Sequence, residues 1–142
     1  MIISGPNVSG GEIHRHFVYV TDIMPTLLEM TGVEHPDTYK GNKVLPMRGK
    51  SFSKVLSGEE ESLYDDSEFI AGEMQDGKWI RKGNFKAVFV TRPYGPGEWK
   101  LYRLSTDPGE TTDLSESEPE MLKSFIGEWE NYAAEVGVVG ME

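Results

Sequence analysis

Residues 101–136, LYRLSTDPGETTDLSESEPEMLKSFIGEWENYAAEV, constrain the fold of this chain more than any other stretch. A short alternating strand, Trp99 to Leu104, runs into the segment and breaks at Thr106-Asp107-Pro108-Gly109. An acidic, hydroxyl-rich loop follows, and then a helix. Leu122, Phe125, Ile126, Trp129, Tyr132, Ala133 and Val136 recur at i, i+3, i+4 and i+7, which is an apolar stripe at helical period. Ser117 and Glu120 have the spacing of a capping box, and Pro119 falls in the first turn, where a missing N–H costs little. Gly137 is a natural residue to end the helix. An apolar stripe must be covered, so the chain has to supply a second layer for this helix.

That layer is legible just upstream. From Ser67 the pattern changes to period two, with strands expected at 68–71, 78–82, 85–91 and 99–104. Asp76-Gly77 and Gly83-Asn84 supply turn residues that accept positive φ, and 92–97 is a Pro/Gly loop. Consecutive short strands with tight connections make an antiparallel meander. Trp79, Phe85, Ala87 and Phe89 are candidates for the face beneath the helix. Burial of that face fixes the register, because a slip of one residue would expose the whole set.

The first half is less regular. Met1-Ile2-Ile3-Ser4 is a short apolar start, too short to set its own register as a free strand, and Gly5-Pro6 ends it. Asn7-Val8-Ser9 matches a glycosylation sequon, a motif frequent by chance. His14 and His16 precede an apolar run, Phe17 to Val20. On a strand the two would point the same way, as metal ligands or as a polar strand edge. Asp22 is placed to cap a helix over Ile23 to Thr31, with Pro25 in its first turn and Gly32 at its end. Ile23, Leu27 and Met30 share one face and Met24, Leu28 and Thr31 the next, so this helix is expected to be largely buried. Residues 34–49 read as loop, with Pro36, Gly41, Pro46 and Gly49 as breakers. A short helix at 51–56 stops at Gly58. The acidic run from Glu59 to Asp66 lacks the ligand spacing and central Gly of a Ca²⁺ loop.

Bulk properties narrow the function. With 142 residues the chain is long enough for a real core. A net charge of -10 argues against binding nucleic acid, which needs a basic surface, and against anionic membranes. It also makes the surface a poor general attractor for an anionic ester. The absence of Cys rules out disulfides and thiolate zinc sites within these residues. Neither a signal peptide nor an apolar run approaching 18 residues is visible, and compartment stays open. G-x-S-x-G, P-loop and G-x-G-x-x-G motifs are absent.

Three segments carry a family resemblance. Leu101 to Leu114, reading LYRLSTDPGETTDL, resembles the C-terminal end of the arylsulfatases. Thr21 to Val33, TDIMPTLLEMTGV, is similar to that family's D-I-x-P-T-L-L helix. Trp79 to Val88, WIRKGNFKAV, is similar to its hairpin. The three stand in family order across nearly the whole chain, closest to bacterial arylsulfatases. The family's catalytic elements lie upstream of the matching part: a metal-binding Asp-Asp, the Cys or Ser that matures to formylglycine, sulfate-gripping Lys and His, and a later Asp-Asn pair. None has a counterpart here, and Ser117-Glu118-Pro119 lacks the final Arg of the maturation motif.

The resemblance therefore implies the C-terminal portion of an arylsulfatase, itself non-catalytic and structural, whose parent hydrolyses sulfate esters with formylglycine and a divalent metal, Ca²⁺. It implies an α+β chain: a small four-stranded antiparallel sheet covered by a C-terminal helix, preceded by a strand–helix–loop piece of the parent α/β domain. The expected division is 1–66, the end of the catalytic domain, and 67–142, the sheet-and-helix subdomain. Tyr39, Lys40, Lys43 and Arg48 would lie near the substrate rim of such a parent, with plain surface solvation as the alternative. No metal ligand or catalytic residue is assigned within the chain. The expected partner is the N-terminal sulfatase domain, or a second copy through residues 1–33. A stand-alone interaction module is the alternative function, and an unrelated small hydrolase a third.

Overall fold

The computed structural model describes residues 1–5, 8 and 10–140, and it divides into two compact units, Met1–Tyr64 and Asp65–Glu142. The sequon at Asn7 and Ser9 lies outside the described residues.

In the first unit, a 3₁₀ turn at Val20–Asp22 leads directly into α1, Ile23–Thr31. Gly32 ends it in the left-handed conformation at φ 67°, as the sequence requires. Asp22 does not cap α1. Its carboxylate turns back to accept the Tyr19 N–H at 2.6 Å, because the 3₁₀ turn already continues the backbone ladder into the helix. The region expected to be loop contains a small hairpin, β1 (Thr38–Tyr39) and β2 (Asn42–Lys43). Lys40 and Gly41 form its tip with φ of 49° and 81°, the double positive φ that a two-residue hairpin turn needs. Helix α2, Ser53–Ser57, stops at Gly58. Phe52, Val55 and Leu56 make the unit's core, with Val8, Val18 and Leu63 packed against it. Met1–Ser4 and Phe17–Tyr19 form no strand, for no strand among the described residues runs beside them.

Helix α1 departs most from expectation. Only Pro25 and Thr26 are buried in it, whereas Met24 is 57% exposed and Leu27 52%. Among the described residues of the first unit, nothing covers Ile23, Met24, Leu27 or Met30.

The second unit follows the sequence closely. Strands β3 (Phe69–Met74), β4 (Gly77–Lys82), β5 (Phe85–Phe89) and β6 (Trp99–Arg103) form an antiparallel meander in chain order, and α3 (Pro119–Val136) lies on one face. The β3–β4 turn is Gln75-Asp76, one residue earlier than Asp76-Gly77, since Gly77 pairs with Met74. Both turn residues have positive φ, 54° and 61°, and the Glu73 carboxylate accepts the Asp76 N–H at 2.8 Å.

Ala71, Ile80, Ala87 and Leu101 stand side by side across the four strands and meet Phe125 and Trp129 from the helix. Phe85 packs against this core as expected, but Trp79 does not share its face. Ile80 pairs with Ala87, so alternation turns Trp79 to the opposite side, where its indole lies across Gly72. A Cβ at Gly72 would come within 2.7 Å of that ring. The helix instead meets Trp99, whose ring stands 5.8 Å from that of Trp129 in edge geometry, a favoured aromatic arrangement. Trp129 Nε1 donates to the Gly72 carbonyl at 3.1 Å, which satisfies its one polar atom inside the core. Lys82 reaches up from β4 to Glu128 at 2.7 Å.

The expected capping box is not made. Glu118 precedes the helix without a side-chain cap, and the Ser117 hydroxyl donates to the Leu114 carbonyl at 3.2 Å. Pro119 at the first position removes one of the N–H groups a cap would have to satisfy.

Candidate functional site

The four rim candidates fall on or beside the β1–β2 hairpin. Thr38 pairs with Lys43 and Tyr39 with Asn42, so alternation sets Tyr39 and Lys43 on opposite faces. The Lys40 ammonium stands 5.3 Å over the Tyr39 ring. Lys43 lines an open groove with His35, Asp37, Val44, Met47 and Gly49, and His35 Nε2 lies 3.1 Å from the Leu45 carbonyl oxygen. Arg48 follows Pro46 and Met47 and is not among the groove-lining residues. The hairpin thus gathers Tyr39 with Lys40, and places Lys43 apart with His35 and Asp37.

What holds the groove in place is a buried polar node that the sequence reading missed. Asp22 is fully buried. Its Oδ2 accepts from Tyr19 N, and its Oδ1 accepts from Lys50 N at 2.9 Å and from the Tyr64 hydroxyl at 2.6 Å. One helical turn on, the Thr26 hydroxyl donates to the Asp22 carbonyl at 2.6 Å and accepts from Phe52 N at 3.0 Å. A buried carboxylate without donors would be costly, and here three donors converge on one. The node fastens the far end of the groove loop to the start of α1. Gly49 makes the approach feasible: a Cβ there would lie 2.1 Å from the Thr21 carbonyl oxygen. The Tyr64 ring is held in turn by Phe17, at 5.7 Å between centroids, and by the Lys50 ammonium at 5.2 Å. Glu29, with its carboxyl below the usual range because the Ser51 and Ser53 hydroxyls donate to it, adds another link to the same loop. The sequence signal was present in the D-I-x-P-T segment, but a helix-capping role explained Asp22 too readily.

In the second unit the acidic motif of 101–114 proves to be architecture. Asp107 accepts from Thr111 N at 2.9 Å, Thr112 N at 2.8 Å and the Thr111 hydroxyl at 2.9 Å, closing the turn on itself. The Thr112 and Thr111 amides hold its carboxyl below the ordinary value. Glu110, at a φ of 55°, pairs with Lys86. Asp113 accepts from Leu101 N, Ser115 N and the Ser115 hydroxyl, and pairs with Lys100 at 2.9 Å. Partial burial raises its pKa, yet the Ser115 amide and the Lys100 ammonium outweigh that and bring it to about 2. Lys100 is pushed well above its usual value by the Glu98 and Asp113 carboxylates. Leu114 N then donates to Leu101 O at 2.8 Å, sewing the loop to the edge strand.

The His14 and His16 rings lie tilted at 43° with centroids 6.1 Å apart, and His14 lies 3.3 Å from Glu12. Among the described residues no three His, Cys, Asp or Glu side chains come together as a metal site. Asp65 accepts from Ser67 N at 2.7 Å in the turn before β3.

Comparison with known proteins accords with this geometry. A family model described as N-sulphoglucosamine sulphohydrolase, C-terminal, matches residues 1–127. An uncharacterized sulfatase of Schizosaccharomyces pombe is 38% identical over 136 residues, which is 94% of this chain and 24% of the relative. Arylsulfatase K of Xenopus laevis is 27% identical over 131 residues, 88% of this chain and 24% of the relative. The crystal structure of Ps i-CgsB shares the fold, with a TM-score of 0.65 at 19% identity, over 90% of this chain and 27% of that one. The chain thus spans 24% of the length of these curated relatives. A match over residues 1–127 places the chain in the family of N-sulphoglucosamine sulphohydrolase C-terminal domains.

Proposed function

We propose that this chain acts as the closing, non-catalytic portion of a sulfuric ester hydrolase of the arylsulfatase type. Residues 1–66 complete the catalytic domain and 67–142 form the appended subdomain. One observation carries the reading: the acidic residues of its most characteristic motif are committed to internal contacts, while α1 leaves Met24 and Leu27 in water. A catalytic motif would present its polar groups outward, and a self-sufficient domain would cover its helix.

Formylglycine and Ca²⁺ do not fit the residues of this chain. It has no Cys, and Ser117 lies in the turn before α3 with its hydroxyl on the Leu114 carbonyl. Its described acidic residues form no three-ligand cluster. The metal and the cations that stabilise developing charge on a sulfate would come from the catalytic domain of the parent. The contribution of this chain would be the groove at Lys43 and His35 and the hairpin tip at Tyr39 and Lys40, with Arg48 beside them, as parts of the pocket rim.

Incubation of the purified chain with a chromogenic aryl sulfate and Ca²⁺ tests the reading. Turnover at the buffer rate is expected; turnover that survives repurification would overturn it. The exposed face of α1 also suits a second reading, a stand-alone module that binds a partner through that face. Its sign would be a stable monomer in which α1 is protected at every concentration.

A further inference from the structure

The turn that follows β6 and the segment that leads into α3 enclose a groove of about 320 Å³, lined by Arg103, Thr106, Asp107, Thr112, Leu114 and Glu118. All six residues belong to the second unit. Their backbone is fixed by its own hydrogen bonds. Asp107 N donates to Arg103 O at 2.9 Å, and Glu118 N donates to Leu114 O at 2.8 Å. Leu114 packs against the core and gives the groove its one apolar patch.

The polar side chains divide into those that are satisfied and those that are not. Asp107 is committed to Thr111 and Thr112. The Arg103 guanidinium stands 4.9 Å over the Phe85 ring, and among the described residues it has no carboxylate or hydrogen-bond partner. Glu118 has no ion pair among them either, and its side chain does not cap α3. The Thr106 and Thr112 hydroxyls are likewise unpaired among the described residues. The ring beneath Arg103 holds its planar fork in place, so binding there would order little that is not ordered already.

Two opposite charges that line one groove would ordinarily neutralise each other, and here they stay apart. A lone anion on Arg103 would face the carboxylates of Asp107 and Glu118. A lone cation on Glu118 would face Arg103, and the described residues offer no three-ligand metal set. A ligand carrying both charges meets neither penalty. We infer that the groove binds a free, small aliphatic α-amino acid. Its carboxylate takes the Arg103 fork beside the threonine hydroxyls, its ammonium pairs with Glu118, and its aliphatic carbons lie on Leu114. A peptide terminus supplies only one of the two charges. The volume is at the small end of ligand pockets, which span about 300–1,000 Å³.

The test is a ¹H–¹⁵N NMR titration of the 142-residue chain with L-alanine. Propionate and ethylammonium, the same skeleton with one charge removed, are the comparison probes. Shifts confined to residues 103–118 are expected with alanine, and far weaker ones with either comparison probe. Arg103→Gln and Glu118→Gln should each weaken binding about tenfold or more, as the loss of a hydrogen bond to a charged group does. Unchanged amide shifts in β3–β5 would show that the variants keep the fold. Should Arg103→Gln disturb them through its contact with Phe85, Glu118→Gln carries the test alone. A silent groove, propionate or ethylammonium binding as tightly as alanine, or unchanged binding by Glu118→Gln would each overturn the site. None of these outcomes depends on turnover, so the site and the non-catalytic reading stand or fall separately.

Discussion

At the scale of single residues, two glycines make opposite demands. Gly49 lies where a Cβ would meet the Thr21 carbonyl oxygen at 2.1 Å, a backbone atom that cannot swing aside. Gly127 sits inside α3 with nothing within 4 Å of its Cβ direction. Gly49→Ala should therefore cost about 2 kcal/mol or more through backbone strain, whereas Gly127→Ala should gain about 0.5–1 kcal/mol from helix propensity. Urea denaturation followed by circular dichroism measures both; a stable Gly49→Ala would mean the loop can retreat from α1. Asp113 gives a second residue-level prediction. Its folded pKa is lowered from 3.8 to about 2, so its charged form is favoured by folding. The associated stability is fully present above the unfolded value and is lost as pH falls from 3.8 toward 2. Asp113→Asn should flatten the acid limb of the melting-temperature profile over that window. An unchanged slope would show that the Lys100 and Ser115 contacts do not persist in solution.

At the scale of elements, α3 and α1 have similar apolar endowments and opposite fates. α3 finds a sheet: Trp129 is 6% exposed and its indole nitrogen is satisfied by Gly72. Trp129→Ala leaves a cavity and a bare carbonyl, a loss of about 3–5 kcal/mol, and marginal domains hold only about 5–15 kcal/mol in total. Glu130, one residue on and exposed, should be nearly silent as Ala. Equal melting temperatures for the two variants would mean that the helix face is misassigned. α1 finds no such cover. Its polar side is locked by the Asp22–Thr26 node, and its apolar residues Met24, Leu27 and Met30 are left to water.

At the scale of the whole molecule, that exposed face governs solution behaviour. Contiguous apolar surface drives association when its proper cover is missing. Sedimentation equilibrium should show an average mass that rises with concentration, and Leu27→Glu should hold the chain closer to monomer. Hydrogen exchange should show protection of residues 17–30 that grows with concentration, while the meander stays protected throughout. Strong protection of α1 in a monomer would defeat the structural-portion reading and favour the stand-alone module.

The sequence by itself determined what rests on local periodicity and chemistry. The four strands and α3 declare themselves by periods of two and 3.6, and Gly32, Gly58 and Gly137 end helices in the left-handed conformation that Gly adopts without a Cβ penalty. The family was readable from the resemblance of three segments, and in one of them Asp107 closes its own turn while Asp113 and Leu114 fasten the loop to Leu101. Tertiary structure decided which face β4 presents, and a one-residue shift in the β3–β4 turn sufficed to set Gly77 opposite Met74. Trp79 faces away from α3 because Ile80 pairs with Ala87, a fact of register that no single strand contains. Asp22 resembled a cap until partners 28 and 42 residues away claimed its carboxylate. Burial of α1 could not be read from its stripe, because a stripe states what must be covered and not whether the cover is present in the same chain.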